Sequence, residues 1–149
     1  MPSNFHQPFL RGAHSMGVRL YTLWDGADRL TQRHFAYAVL AALAGAKSDF
    51  DTGDLAAAKQ RLQWVMANAK DQETGDVARL RLARVLFDEK NNAEALKLLE
   101  VKPVDSFTGL YADLKGDVLA AQGNRAEARA AYQVALDKSD AASPLRQIL

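Results

Sequence analysis

The chain has 149 residues, 48% of them hydrophobic and 25% charged, with a formal net charge of +1 and no cysteine. That is the composition of a globular domain long enough to bury a core, not of a disordered or membrane-embedded chain. The balanced charge gives no general attraction to nucleic acid or anionic lipid, and the missing thiols exclude disulfides, thiol catalysis and cysteine metal sites.

The first stretch, MPSNFHQPFLRGAHSMG, lacks the apolar core of a signal peptide and shows no helical period. Residues 1–30 read as a separate N-terminal segment, loosely held over 1–16, with a helix over 17–31 that carries Trp24. Residues 31–149 read as the main domain. Its longest uncharged apolar stretch, Phe35 to Ala46, stops at Lys47. It falls short of the ~20 residues a membrane-spanning helix needs, so it reads as a buried core helix over 34–51.

From there the chain repeats itself. AGAKSDFDTGDLAAAKQRLQWV, LARVLFDEKNNAEALKLLEVK and KGDVLAAQGNRAEARAAYQVAL align turn by turn. In each, an apolar helix ends, a polar turn follows and a second helix starts. Asp54, Asn91 and Asn124 fall at the same place, where a side-chain oxygen can cap the next helix. Glu94 and Glu127 follow two of them by three residues, the spacing of a capping box. Gly53 and Gly123 precede two of the caps and suit a left-handed helix end; Lys90 stands there in the middle copy. Ala58, Ala95 and Ala128 come four after the caps, and Leu62, Leu99 and Tyr132 eight after, on one helical face. Ala46, Ala83 and Gly116 supply small residues eight before. These pairs predict close helical hairpins.

The remaining helices are predicted over 55–69, 75–89, 92–101, 107–121 and 125–138, with Asp105 or Ser106 capping the sixth. Pro103 and Pro144 lie in connections. The closing SPLRQIL can begin a further helix. The caps are 37 and 33 residues apart, against about 34 for a tetratricopeptide (TPR) unit. The longer first spacing is assigned to the connection around AKDQETGD. No stretch alternates at period two, so no strand is expected. The fold class is all-α: a TPR-like, right-handed solenoid of about three helical hairpins.

The sequence also resembles a particular family. FAYAVLAALAGAKSDFDTGDLAAAKQRLQWVMANAKD, VARLRLARVLFDEKNNAEALKLLE, LYADLKGDVLAAQGNRAEARAAYQVAL and SPLRQIL are similar to the periplasmic domain of the YfgM-like proteins, ancillary subunits of the SecYEG translocon. The resemblance covers roughly three quarters of the chain, from about His34 to Leu149, and rests most on LRLARVL and LYADLKGDVLAAQG–AEARAAYQ. It implies a non-catalytic scaffold at the periplasmic face of the bacterial inner membrane. The implied partners are the translocon, periplasmic chaperones and their clients. The anchor of such proteins is not recognisable in this sequence. The repeat taken alone also fits a soluble TPR adaptor in another compartment.

The sequence carries little that suggests catalytic chemistry. His6, His14 and His34 form no metal motif, the glycines form no phosphate loop, and no serine sits in a nucleophile elbow. Asp49/Asp51 and Asp113/Asp117 read as solvated helix surface. Trp64 reads as core packing. Arg79, Arg81 and Arg84 are flanked by Asp76, Asp88 and Glu89, so intrahelical pairing accounts for them better than nucleic acid does. No catalytic residue, metal or cofactor is expected.

A protein-binding groove is. First helices of TPR hairpins line the concave surface. Seven residues before the caps lie Lys47, Arg84 and Asp117; four before, Phe50, Phe87 and Ala120; eleven before, Leu43, Leu80 and Asp113. These offsets share one helical stripe. The candidate groove is apolar and basic over the first two repeats and acidic over the third, which suits a peptide segment rather than a small substrate. The bland alternative is that both phenylalanines fill the core and the charges are solvated.

Overall fold

A computed structural model describes the backbone of residues 29–142 and the side chains of residues 32–139. The loose N-terminus, His6, His14, Trp24, most of the helix expected over 17–31, Pro144 and SPLRQIL lie outside the described residues.

The described residues form six α-helices and no strand: α1 (Arg29–Thr52), α2 (Leu55–Asn68), α3 (Gln72–Asp88), α4 (Asn92–Leu99), α5 (Thr108–Ala121) and α6 (Arg125–Ala142). Each packs on the next, making three hairpins, α1–α2, α3–α4 and α5–α6, and α3 also meets α5. This is the expected helical repeat solenoid.

The three hairpin turns are built alike, by backbone alone. Gly53, Lys90 and Gly123 all take positive φ, at 84°, 64° and 83°. Their amides donate to the carbonyls of Phe50, Phe87 and Ala120 at 2.9–3.0 Å. The next amides, of Asp54, Asn91 and Asn124, reach back to Asp49, Leu86 and Leu119 at 2.8–3.0 Å. This pair of bonds is the Schellman ending, which satisfies carbonyls the helix leaves orphaned. Lys90 adopts it against the usual preference for glycine.

Side-chain capping is less uniform. Asp54 accepts from the Ala57 amide at 3.1 Å. Asn91 sits at the cap of α4 and makes no side-chain cap bond, and the capping box expected with Glu94 does not form there. Glu94 instead accepts from Lys97 at 2.8 Å. A carboxylate at a helix N-terminus gains from the positive end of the helix, whereas a neutral amide gains less.

Besides α6, which runs four residues past its expected end at 138, three boundaries differ from the sequence reading. The break expected between residues 31 and 34 does not occur, because α1 runs unbroken from Arg29. The stretch AKDQETGD is not a long connection. Asp71 accepts from the Thr74 amide at 2.7 Å and its hydroxyl at 2.9 Å, so α3 starts at Gln72. Those bonds hold the Asp71 carboxyl below its ordinary value. Neither Asp105 nor Ser106 caps α5. They form a short 3-10 turn, Asp105–Phe107, that leads into it.

The packing follows the small–large pairs. Ala58, Ala95 and Ala128 are buried, as are Ala46, Ala83 and Gly116 at the facing positions. Leu62 and Leu99 are buried beside them, each such side chain contributing about 2–3 kcal/mol. One core cluster joins α1, α2 and α3 through Phe35, Val39, Leu62, Val65 and Leu82. A second joins α3, α4 and α5 through Ala83, Leu99, Tyr111, Leu114 and Val118. Trp64 packs on the first, its ring 6.2 Å from that of Phe35.

Candidate protein-binding face

The first helices of the hairpins are α1, α3 and α5, and they present the stripe described above. Lys47 and Arg84 are exposed, with side chains 68% and 53% accessible. Phe50 and Leu43 are half-buried against the first core, Phe87 and Leu80 against the second. The phenylalanines therefore pack on the core and line the face at once. Asp113 is exposed and Asp117 half-buried on α5.

Between α1 and α3 the face opens into a valley. At one end a hollow of about 290 Å3 has Ala46, Phe50, Leu62 and Val85 as its floor, with Lys47, Arg81, Arg84 and Asp51 around it. Midway, Arg81 crosses from α3 and donates to the Leu43 carbonyl at 3.2 Å. Toward the other end lies a second hollow of about 360 Å3, walled by Phe35, Val39 and Leu40 and by the α2–α3 connection.

Between α3 and α5 the face carries paired charge. Arg84 approaches Asp117 at 3.6 Å and Asp88 at 3.8 Å, and its guanidinium stands 5.9 Å from the Phe87 ring. Tyr132 donates to Asp117 at 2.8 Å. That bond to a carboxylate raises the Tyr132 phenol above its ordinary value. The expected intrahelical pairing of the arginines thus holds for Arg79 with Asp76 and Arg84 with Asp88. Arg81 and Glu89 pair elsewhere, Glu89 with Lys59 at 2.8 Å. Of the acidic pairs read as solvated, Asp49 accepts from Arg61 at 2.6 Å and Asp51 from Lys47.

Two features escaped the sequence reading. The stripe continues one step further, to Leu40, Val77 and Leu110, fourteen before each cap. Leu40 and Leu110 are 59% and 54% exposed. The signal was present, an apolar residue at one offset in all three repeats. The other feature is Asp76, buried completely. It accepts from Arg79 at 2.6 Å and from the Val104 amide at 2.8 Å, while Tyr111 donates to its backbone carbonyl at 2.9 Å. A buried carboxylate needs such partners, and here they tie α3, the α4–α5 connection and α5 into one joint. Burial pushes the Tyr111 phenol up.

Stacked helical hairpins with equivalent backbone turns, matching small–large contacts and one shared face define a repeat protein of the tetratricopeptide class. Residues 24–149 match the profile of the tetratricopeptide repeat-like domain family, and the chain belongs to that family. It is similar to the ancillary SecYEG translocon subunit of Neisseria gonorrhoeae, 35% identical over 116 residues that cover 78% of this chain and 56% of that protein. The subunit of the same name in Escherichia coli is 33% identical over 113 residues, covering 76% of this chain and 54% of that protein. That in Haemophilus influenzae is 31% identical over 100 residues, covering 67% and 49%. These relatives agree with the family resemblance read in the sequence. The chain spans about half the length of the relatives it matches. No solved structure matches it significantly. Among the described residues no helix is long and apolar enough to cross a membrane.

Proposed function

We propose that this chain is the helical-repeat part of an ancillary SecYEG translocon subunit, a scaffold that binds proteins and catalyses nothing. On this reading it sits at the periplasmic side of the inner membrane, held there by an anchor outside the repeats. There it links the translocon to periplasmic chaperones and secreted clients. The observation that carries the reading is the similarity to several translocon subunits, over the same repeats that build the open face. The stripe of Leu43, Lys47, Phe50, Leu80, Arg84, Phe87, Asp113 and Asp117 is the proposed binding surface.

The test is affinity isolation of the full-length protein from its own membrane in mild detergent. The parent is expected to bring SecYEG with it. Lys47→Glu with Arg84→Glu is expected to weaken capture while helicity stays unchanged and melting falls only slightly, since the exposed pairs lost with Asp51, Asp88 and Asp117 are each worth about 1 kcal/mol or less. A parent that isolates without SecYEG overturns the translocon reading. A double variant that captures as well as the parent removes these residues from the binding surface.

A further inference from the structure

The repeat departs from itself at α4. Helix α2 has fourteen residues and α4 eight, so residues 63–68, nearly two turns of α2, have no helical counterpart after Leu99. At the first junction those turns fill space. Trp64, Val65 and Met66 share a core cluster with Ala78, Leu82 and Leu86 of α3 and Leu98 of α4. The three α3 residues lie thirteen, nine and five before Asn91, and Leu98 lies seven after it.

At the same offsets from Asn124 stand Tyr111, Lys115, Leu119 and Ala131. At the second junction these four line a cleft of about 500 Å3 instead. The chain after α4 forms one side of it and α6 the other, and their Val101 and Val134 are 46% and 43% exposed. On α5 the helical period puts Tyr111, Lys115 and Leu119 opposite Leu110, Asp113 and Asp117, so the cleft faces away from the stripe on the first helices.

The cleft has a length and a charge. From Thr108 to Leu119 it runs about 16 Å along α5 at 1.5 Å per residue, the length of a three-turn helix. Its lining includes Glu100, Glu127, Lys102 and Lys115, two charges of each sign, none of them in an ion pair among the described residues. A balanced rim favours neither an acidic nor a basic segment. LQWVMANA, residues 62–69, which covers the equivalent positions at the first junction, is itself uncharged.

Resting on the reading of the chain as a protein-binding scaffold, we infer that this cleft takes an uncharged, apolar-faced helical segment of a partner protein, about three turns long, which supplies the turns that α4 lacks. Its large side chains stand where Val65 and Met66 stand at the first junction, against Tyr111, Leu119 and Ala131. Lys115, in the place of the buried Leu82, lays its stem on apolar surface and keeps its ammonium in water. Apolar burial carries the binding, so salt has little effect on it.

The probe is a fluorescent peptide with LQWVMANA between two alanine-rich turns that favour helix. Anisotropy against the purified chain should show saturable binding that changes less than about twofold between about 0.05 and 0.5 M salt. A control peptide with aspartate for both the valine and the methionine should not bind. Ala131→Phe fills the cleft from α6 and should weaken the probe about tenfold, the equivalent of one apolar side chain left unburied. Lys115→Leu restores the residue type of the first junction and should tighten it. Melting curves check that both variants fold. Amide shifts should concentrate on residues 99–103, 108–119 and 127–134.

No saturation by about 1 mM peptide overturns the inference. So does an affinity that falls steeply with salt, and so do amide shifts centred on α1–α3, where the probe would be displacing α2. Binding seen only after deletion of residues 143–149 overturns it too, because the chain then covers its own cleft. A chain that ignores the probe but still captures SecYEG loses this inference and keeps the translocon reading. A chain that binds the probe in the cleft but captures no SecYEG does the reverse.

Discussion

The two junctions between successive first helices, α1 with α3 and α3 with α5, arise from one repeat and end up different. At the first, α2 is fourteen residues long and only Ala69–Asp71 separate it from α3. The contact is apolar, through Phe35, Val39, Leu62 and Leu82, and the face stays open. At the second, α4 has eight residues and a longer connection follows. That connection is pinned by Asp76, and Arg84 reaches across to Asp117, which Tyr132 of α6 also holds. The cap spacing of 37 against 33 residues thus reflects longer helices at the first junction rather than a longer loop. The second junction adds a buried, hydrogen-bonded carboxylate to its apolar contacts, whereas the first is apolar and carries the hollows.

The largest expected effect comes from removing that carboxylate. Asp76→Ala leaves the Val104 amide without its acceptor and Arg79 without its partner. It should cost about 3 kcal/mol, the low end for breaking a buried pair, because Arg79 keeps some contact with water. Urea denaturation of parent and variant measures it. Arg81→Ala, at the open junction, removes one hydrogen bond near the surface and should cost about 1 kcal/mol or less. Equal losses from the two variants would erase the contrast between the junctions.

A smaller effect tests why the third hairpin differs from the first two. A Cβ added at Gly116 would lie 2.5 Å from Tyr132 Cε1. Gly116→Ala should therefore overpack the α5–α6 contact, costing about 1–3 kcal/mol. Adding Tyr132→Leu recreates the alanine–leucine pairs Ala46/Leu62 and Ala83/Leu99. It should recover most of the loss, less about 1 kcal/mol for the hydrogen bond to Asp117. Thermal melts of the single and double variants decide it, and no recovery would mean that the three hairpins do not share one packing rule.

The smallest effect is in alkali. The Tyr132 phenol is raised by its bond to the Asp117 carboxylate. The folded chain therefore holds that proton more tightly than the unfolded one. The resulting stability is fully present below the unfolded value of about 10 and is lost as pH rises through the raised folded value. Between about pH 9 and 11 the melting temperature of Tyr132→Phe should fall less steeply than that of the parent. Parallel curves would show that this bond does not stabilise the α5–α6 hairpin at alkaline pH.

What could be read in the sequence was whatever repeats at short range. Hairpin turns, buried alanines and the stripe on α1, α3 and α5 follow from offsets of three, four and eight residues, where helix geometry alone decides which side chains share a face. Even Lys90 was visible as a departure from glycine, and the backbone bonds on both sides hold it in the glycine conformation. Tertiary structure alone decided the joint at Asp76, which looked like one more surface charge beside Arg79. Its other partners, Val104 and Tyr111, lie 28 and 35 residues away, beyond the reach of any helical period. It also decided which half of the face holds the hollows and which the paired charge. Whether Arg84 offers its charge or spends it on Asp117 depends on how closely α3 and α5 approach. That distance is set by the packing of whole helices, not by the residues that line them.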